Sequence, residues 1–346
     1  MKYIPVAILL LSASLSYAQK GYEIKVTLKP FKNEFIYLGN YNGKQVPVID
    51  SVKVNEKSEA VFTGKENLGG GIYLIAYPDK AHNFEFLIDK SQKFSIIADT
   101  ARLEKREFIN SPENIAFKQY GETMMKFGKE IDNLMAKKKP GMPVADSLKL
   151  LKEVDAVNKN IRDYRMDLMN REPNSLLTAL LNAMKEPEVP QDDPAAKKDS
   201  LFAYHYFKAH YWDGVNFFDD RLSRTPFFES RIDKYFDQLV YPAADSVIKE
   251  MDWMLGYASA SPEMQKFLLL KFINRYYNQK YMWEDAVFVH LFEKYFSQKD
   301  YPWLAEKGKK MITDRAYSLM ANIMGNPAPE VSLPDTTGNR RTLYSV

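Results

Sequence analysis

Between Tyr22 and Ala98 apolar and polar residues alternate in short runs separated by turn-forming residues. Tyr22, Ile24, Val26 and Leu28 share one side of a first strand. Further strands fit Phe35 to Tyr41, Val46 to Val54, Ala60 to Thr63, Gly71 to Tyr77, Asn83 to Ile88 and Lys93 to Ala98, with turn-forming residues between them. The two-residue step Asn42-Gly43 falls between the second and third of these, where Asn-Gly favours a type I′ hairpin turn. Short strands with no helix between them predict an antiparallel β-sandwich over residues 20–110. The run Gly69-Gly70-Gly71 lacks a following helix or Lys-Ser/Thr, so it reads as a flexible loop and not a phosphate cradle.

At Ser111-Pro112-Glu113 the period changes from two to 3.6, and Ser followed by Pro marks a helix start. Phe117, Tyr120, Met124, Phe127, Ile131 and Leu134 form one apolar face. After the break at Pro140-Gly141-Met142-Pro143, Leu148, Leu151, Val154, Ile161, Tyr164 and Leu168 form another, predicting a long helical hairpin. Further helices are expected at Leu176 to Met184, Ser200 to Trp212, from Thr225-Pro226, near Asp245, from Ser261-Pro262, at Glu284 to Phe296 and at Trp303 to Met324. With no repeat of constant period, residues 111–324 read as an irregular all-α domain and not a solenoid.

Composition narrows the chemistry. A net charge of +3 on 48 basic and 45 acidic residues gives no electrostatic case for nucleic acid or a membrane surface. Lys137-Lys138-Lys139 reads as a solvated helix end. Residues 1–18 have the plan of a secretory signal: Lys2, an apolar run from Ile4 to Leu15, then Ser16-Tyr17-Ala18 before Gln19. Cleavage near Ala18 would place the mature chain in the periplasm or outside the cell. The apolar run is too short to span a bilayer, and no later segment is longer, so no membrane span is expected. There is no cysteine, which fits a chain stabilised by its cores or one kept clear of a nearby redox pair.

Few constellations carry chemistry. His205 and His210 are five residues apart, on different faces of a helix, and read as surface or core positions without a zinc set. Asp285 and His290 could form a dyad only through tertiary proximity, and no nucleophile-elbow serine accompanies them. Asp213, Asp219 and Asp220 lack EF-hand spacing and read as loop caps, with Arg221 as an ionic partner. The densest aromatic cluster spans Tyr204 to Phe218. Within it Tyr204, Tyr206, Tyr211 and Trp212 are the candidates for a ring-lined partner-binding groove, against a core role for such residues in general. No catalytic, cofactor-binding or metal-binding residue is expected, and no cofactor.

The last segment carries a resemblance. Pro327-Ala328-Pro329-Glu330, Val331-Ser332-Leu333-Pro334-Asp335, Gly338 and Thr342-Leu343 resemble the opening of thioredoxin-like domains of the TlpA/ResA and peroxiredoxin (AhpC/TSA) superfamily. Residues 325–346 would then be the first strands of an incomplete thioredoxin-like fold. Together with the Ser111-Pro112-Glu113-Asn114 junction and the motifs Ala209-His210-Tyr211-Trp212 and Asp219-Asp220-Arg221-Leu222, the order of segments from residue 20 to 346 resembles envelope proteins. In those proteins two domains of unknown function precede a TlpA-like thioredoxin domain. The resemblance implies an accessory region, positioning substrate proteins or pairing with a second copy. It would serve a periplasmic thiol-disulfide oxidoreductase whose thiolate lies beyond Val346. The alternative is a free-standing envelope binding or structural protein without enzymatic activity.

Overall fold

The structure, a computed structural model, describes residues 21–345 apart from 191, 322, 324, 326, 328 and 329 and the Lys197 side chain. The expected leader at residues 1–18 lies outside the described residues.

The first part is a β-sandwich of eight strands: β1 (Tyr22–Lys29), β2 (Phe35–Asn40), β3 (Val48–Lys53), β4 (Glu59–Gly64), β5 (Gly71–Ala76), β6 (Asn83–Ile88), β7 (Lys93–Asp99) and β8 (Glu107–Ile109). Two four-stranded sheets, ordered β4-β1-β7-β8 and β3-β2-β5-β6, face each other. All strand pairs are antiparallel except β1 and β7, which run parallel from Glu23↔Lys93 to Lys29↔Asp99. The alternating residues meet between the sheets, where Ile24, Val26, Leu28, Phe62, Phe86 and Ile96 are buried. The turn between β2 and β3 differs from the expected one. Asn42 and Gln45 exchange backbone hydrogen bonds around Gly43-Lys44, and Gly43 alone of the four has positive φ. A type I′ turn centred on Asn42-Gly43 would require positive φ at both of those residues.

Nine α-helices follow among the described residues: α1 (Pro112–Met135), α2 (Val144–Arg171), α3 (Leu176–Met184), α4 (Phe202–Ala209), α5 (Pro226–Gln238), α6 (Ala244–Ala258), α7 (Pro262–Tyr277), α8 (Glu284–Leu291) and α9 (Glu306–Met320). A π-helical turn, Phe292–Phe296, extends α8. Helices α1 and α2 form the expected hairpin, with Tyr164 and Leu168 packed on the Tyr120 side as expected, but the start of α2 departs from the predicted face. Leu150 and Val157 are buried in α2, whereas Leu148 (55% exposed) and Leu151 (48%) point outward. The remaining helices enclose one large core built around Phe228, Met251, Leu268, Phe272 and Phe288.

The two parts share a packed seam. Every residue of β5, Gly-Ile-Tyr-Leu-Ile-Ala, is buried, because one face meets the opposite sheet and the other meets helices. Ile72 and Leu87 pack against Leu176 and Leu180 of α3. Asn114 of α1 donates to the Leu87 carbonyl at 2.8 Å and accepts from its amide at 2.7 Å. The triglycine run, expected to be a flexible loop, is instead where the Asp220–Arg224 3₁₀ turn comes down on the sheet. A Cβ at Gly71 would lie 2.4 Å from Arg224 Cβ and one at Gly70 2.7 Å from Arg221 Cγ. Only glycine lets the backbones approach so closely. Arg224 then donates to the Gly70 carbonyl at 3.0 Å, and Arg221 to Asp89 at 3.0 Å.

At the far end β9 (Ser332–Pro334) and β10 (Arg340–Thr342) form a small antiparallel hairpin. Asp335 shapes its turn by accepting from the Thr337 and Asn339 amides at 2.9 and 3.0 Å. Val331, Leu333, Leu343 and Tyr344 are exposed.

Candidate functional site

A broad concavity lies on the helical part, between the C-terminal end of α4 and α6. After Ala209 the chain leaves α4 through a tight turn at His210–Gly214. Gly214 has φ +77°, and a Cβ there would lie 2.8 Å from Asn182 Oδ1, so both the backbone and the space call for glycine. The turn throws Trp212, Phe217 and Phe218 toward α6, whose outer face carries Trp253 and Tyr257 one helical turn apart.

The rings interlock. Trp212 and Phe217 pack edge-on at 5.2 Å between centroids, Phe217 and Trp253 at 5.4 Å, and Trp253 and Tyr257 at 5.3 Å. They line an open groove of about 870 Å³. Its polar end is a small network in which Glu250 accepts from the Tyr235 hydroxyl at 3.0 Å and pairs with Lys208 at 3.3 Å. Burial, reinforced by the neighbouring Glu250 carboxylate, pushes the Tyr235 hydroxyl above its ordinary pKa, so it stays a donor.

A second cleft of about 600 Å³ lies on the other side of α4, between it and the C-terminal half of α2. Met166, Met169, Met184 and Leu181 floor it, and Arg165, Tyr206 and His210 stand around it. Asp213 lines both concavities, which therefore meet at the turn after α4.

The four residues singled out from the sequence separate. Trp212 lines the aromatic groove. Tyr211 is a correction: it is 1% exposed, within the helical core, and its hydroxyl donates to the Arg231 carbonyl at 3.0 Å. Tyr206 stands in the second cleft with its ring 4.3 Å from that of His210. Tyr204 ties α4 to the end of α5, donating to the Leu239 carbonyl at 2.8 Å. The sequence reading missed Trp253 and Tyr257, although an aromatic pair four apart, opposite buried Met251, Met254 and Leu255, was a readable signal.

The other candidates resolve into structural contacts. His290 pairs with Asp252 of α6 at 3.0 Å, not with Asp285; Lys294 and the Tyr295 hydroxyl hold the same carboxylate at 2.9 and 2.7 Å. His205 pairs with Asp199 at 3.4 Å and His210 with Asp213 at 2.7 Å. Asp219 binds Arg221 and Asp220 binds Arg224, as capping residues of the loop. Among the described residues there is no cluster of His, Asp or Glu placed to hold a metal ion, and no helix is long and apolar enough to cross a membrane.

A family model described as a domain of unknown function (DUF5106) matches residues 147–321, just over half of the chain, and the chain belongs to that family. The matched stretch runs from the start of α2 to the end of α9 and so contains both concavities. No curated protein matches the chain.

Proposed function

We propose that this chain is an exported recognition module that holds a polypeptide segment in the aromatic groove after α4. The carrying observation is the groove itself. Six rings, from the turn after α4, from α5 and from α6, line a surface concavity, where solvation alone would favour charged side chains. Its continuation past Asp213 into the methionine-floored cleft supports an elongated occupant over a compact one. Interlocked rings lose little side-chain freedom on binding, which favours them as anchors.

In this reading the occupant is a substrate protein of a thiol-disulfide oxidoreductase of the TlpA/ResA kind, for which the chain acts as accessory region. The exposed hairpin at Ser332–Thr342 and the resemblance of its residues support that assignment. The sequence contains no cysteine, so thiol chemistry would come from a companion thioredoxin-like domain.

The test is fluorescence titration of the chain with an unfolded polypeptide whose cysteines are carboxymethylated. Trp253→Ala should weaken binding at least tenfold, Trp253→Phe should retain most of it, and Tyr281→Ala, outside the groove, should leave it unchanged. Equal binding by wild type and Trp253→Ala would remove the groove from consideration.

A further inference from the structure

The charges around the two concavities are unevenly committed, and this deepens the reading of the groove as a polypeptide site, on which it rests. Each carboxylate lining them has an internal partner. In the aromatic groove Glu250 is held by Lys208 and Tyr235, and Asp213 by His210. In the second cleft Glu186 is held by Lys234 and Glu188 by Arg162.

Three lining cations have no such partner among the described residues: Lys185, exposed at the end of α3, and two that flank the concavities, Lys249 and Arg165. Lys249 of α6 lies on the groove rim, and among the described residues no carboxylate stands within ion-pair distance of it. Arg165 of α2, half-buried at the other end, donates from Nε to the Tyr120 hydroxyl at 3.1 Å and from Nη2 to Met124 Sδ at 3.8 Å. Both are neutral acceptors, so the guanidinium keeps its net charge uncompensated beside an apolar floor, where a charge is least well solvated.

We infer that the segment taken by these clefts is acidic: an extended peptide with an aromatic or aliphatic side chain for the rings and carboxylates on either side, one for Lys249 and one for Arg165. A carboxylate on Arg165 supplies the charge-assisted hydrogen bond that its present neighbours do not. Single-stranded nucleic acid, which also stacks on rings, fits less well. Its charge recurs at every nucleotide and would run past Asp213, Glu250, Glu186 and Glu188.

The experiment is fluorescence anisotropy with the full chain and labelled ten-residue peptides. They share one central tryptophan and differ only in carrying glutamate, glutamine or lysine at flanking positions; an oligothymidylate of ten nucleotides is run beside them. The glutamate peptide should bind at least tenfold tighter than the glutamine peptide, with an advantage that shrinks at high salt. Lys249→Glu, at an exposed position, should erase most of that advantage. Arg165→Gln should do the same in part, read alongside its melting curve because Arg165 also packs on Tyr120.

Equal binding of the glutamate and glutamine peptides, or a preference for lysine or for the oligonucleotide, would overturn the acidic assignment. In the first two of these cases the aromatic groove would still stand as a peptide site. Absence of binding by every peptide at millimolar concentration would overturn both.

Discussion

Arg231 and Tyr211 clasp each other twice: the Tyr211 hydroxyl donates to the Arg231 carbonyl at 3.0 Å, and the Arg231 guanidinium donates back to the Tyr211 carbonyl. The guanidinium also lies 4.6 Å from the centre of the Tyr211 ring and donates to the carbonyls of Ala183 and Lys185 at the end of α3. One buried side chain thus satisfies two carbonyls at the end of α3, fixes the turn that aims Trp212, and ties α3 to α5 and to the turn after α4. Without a carboxylate partner its pKa is held below the ordinary arginine value by burial, yet arginine stays charged at any ordinary pH.

Removing it should be severe. Arg231→Met is expected to cost about 3 kcal/mol in urea unfolding, because three carbonyls, those of Ala183 and Tyr211 buried and that of Lys185 partly so, lose their donor. Arg231→Lys should recover little, since an ammonium cannot reproduce the planar fork that reaches them. Tyr211→Phe, which removes only the return hydrogen bond, should cost about 1 kcal/mol.

The glycines divide by what surrounds them. Gly71→Ala is expected to lose about 2 kcal/mol, since its Cβ would meet Arg224 Cβ at 2.4 Å and the Arg224 carbonyl oxygen at 2.9 Å. Hydrogen exchange should then rise in the Asp220–Arg224 turn as the seam opens. Gly121, inside α1 with nothing within 4 Å of an added Cβ, should behave oppositely. Gly121→Ala is expected to stabilise by about 0.5–1 kcal/mol through helix propensity alone. Thermal melts of the two variants should move in opposite directions.

Much of this fold is legible because its periods are clean. Seven strands follow from short apolar-rich runs between turn residues, and α3 begins and ends as its apolar run does. The three residues of β8 are too short to show a period, so Phe108 gave no strand signal. The uninterrupted apolar run of β5 suits a strand covered on both faces, and the tertiary structure shows that α3 does the covering on one of them. The groove was half legible. Trp212 lies in a dense aromatic stretch, whereas Trp253 joins it from forty-one residues away, a pairing that no local pattern encodes. Ring-rich sequence also cannot separate Tyr211, which is buried, from Trp212 beside it, because both are equally apolar.

The ion lattice across the seam should make the protein acid-sensitive in a defined window. Lys44 at the tip of the β2–β3 turn donates to Asp233 at 2.7 Å, and Lys271 and Arg275 reach the same carboxylate at 2.7 and 3.2 Å. Burial alone would raise the Asp233 pKa, but the Lys271 and Lys44 ammonium groups outweigh it and hold it below the ordinary 3.8. A carboxyl depressed on folding contributes stability that is complete above its unfolded pKa and is lost as pH falls through the folded one. The melting temperature should therefore fall as pH drops below about 4. Asp233→Asn should be less stable at neutral pH and show a shallower decline; an unchanged slope would mean that other carboxyls dominate.

The hairpin of α1 and α2 tests which apolar residues are core and which only look it. Leu148 and Leu151 fall on the face that simple periodicity selects, yet they are solvent-exposed, while Leu150 is 6% exposed. The physical reason is that a two-helix hairpin buries only one narrow stripe per helix, and α2 carries more leucines near its start than that stripe can cover. Leu150→Ala should thus cost about 3 kcal/mol, the usual loss for a buried leucine. Leu148→Ser and Leu151→Ser should each stay within about 0.5 kcal/mol of wild type, as surface changes do. If either serine variant instead destabilised the protein strongly, or altered its sedimentation, that outer face would be an interface in solution and not a solvated surface.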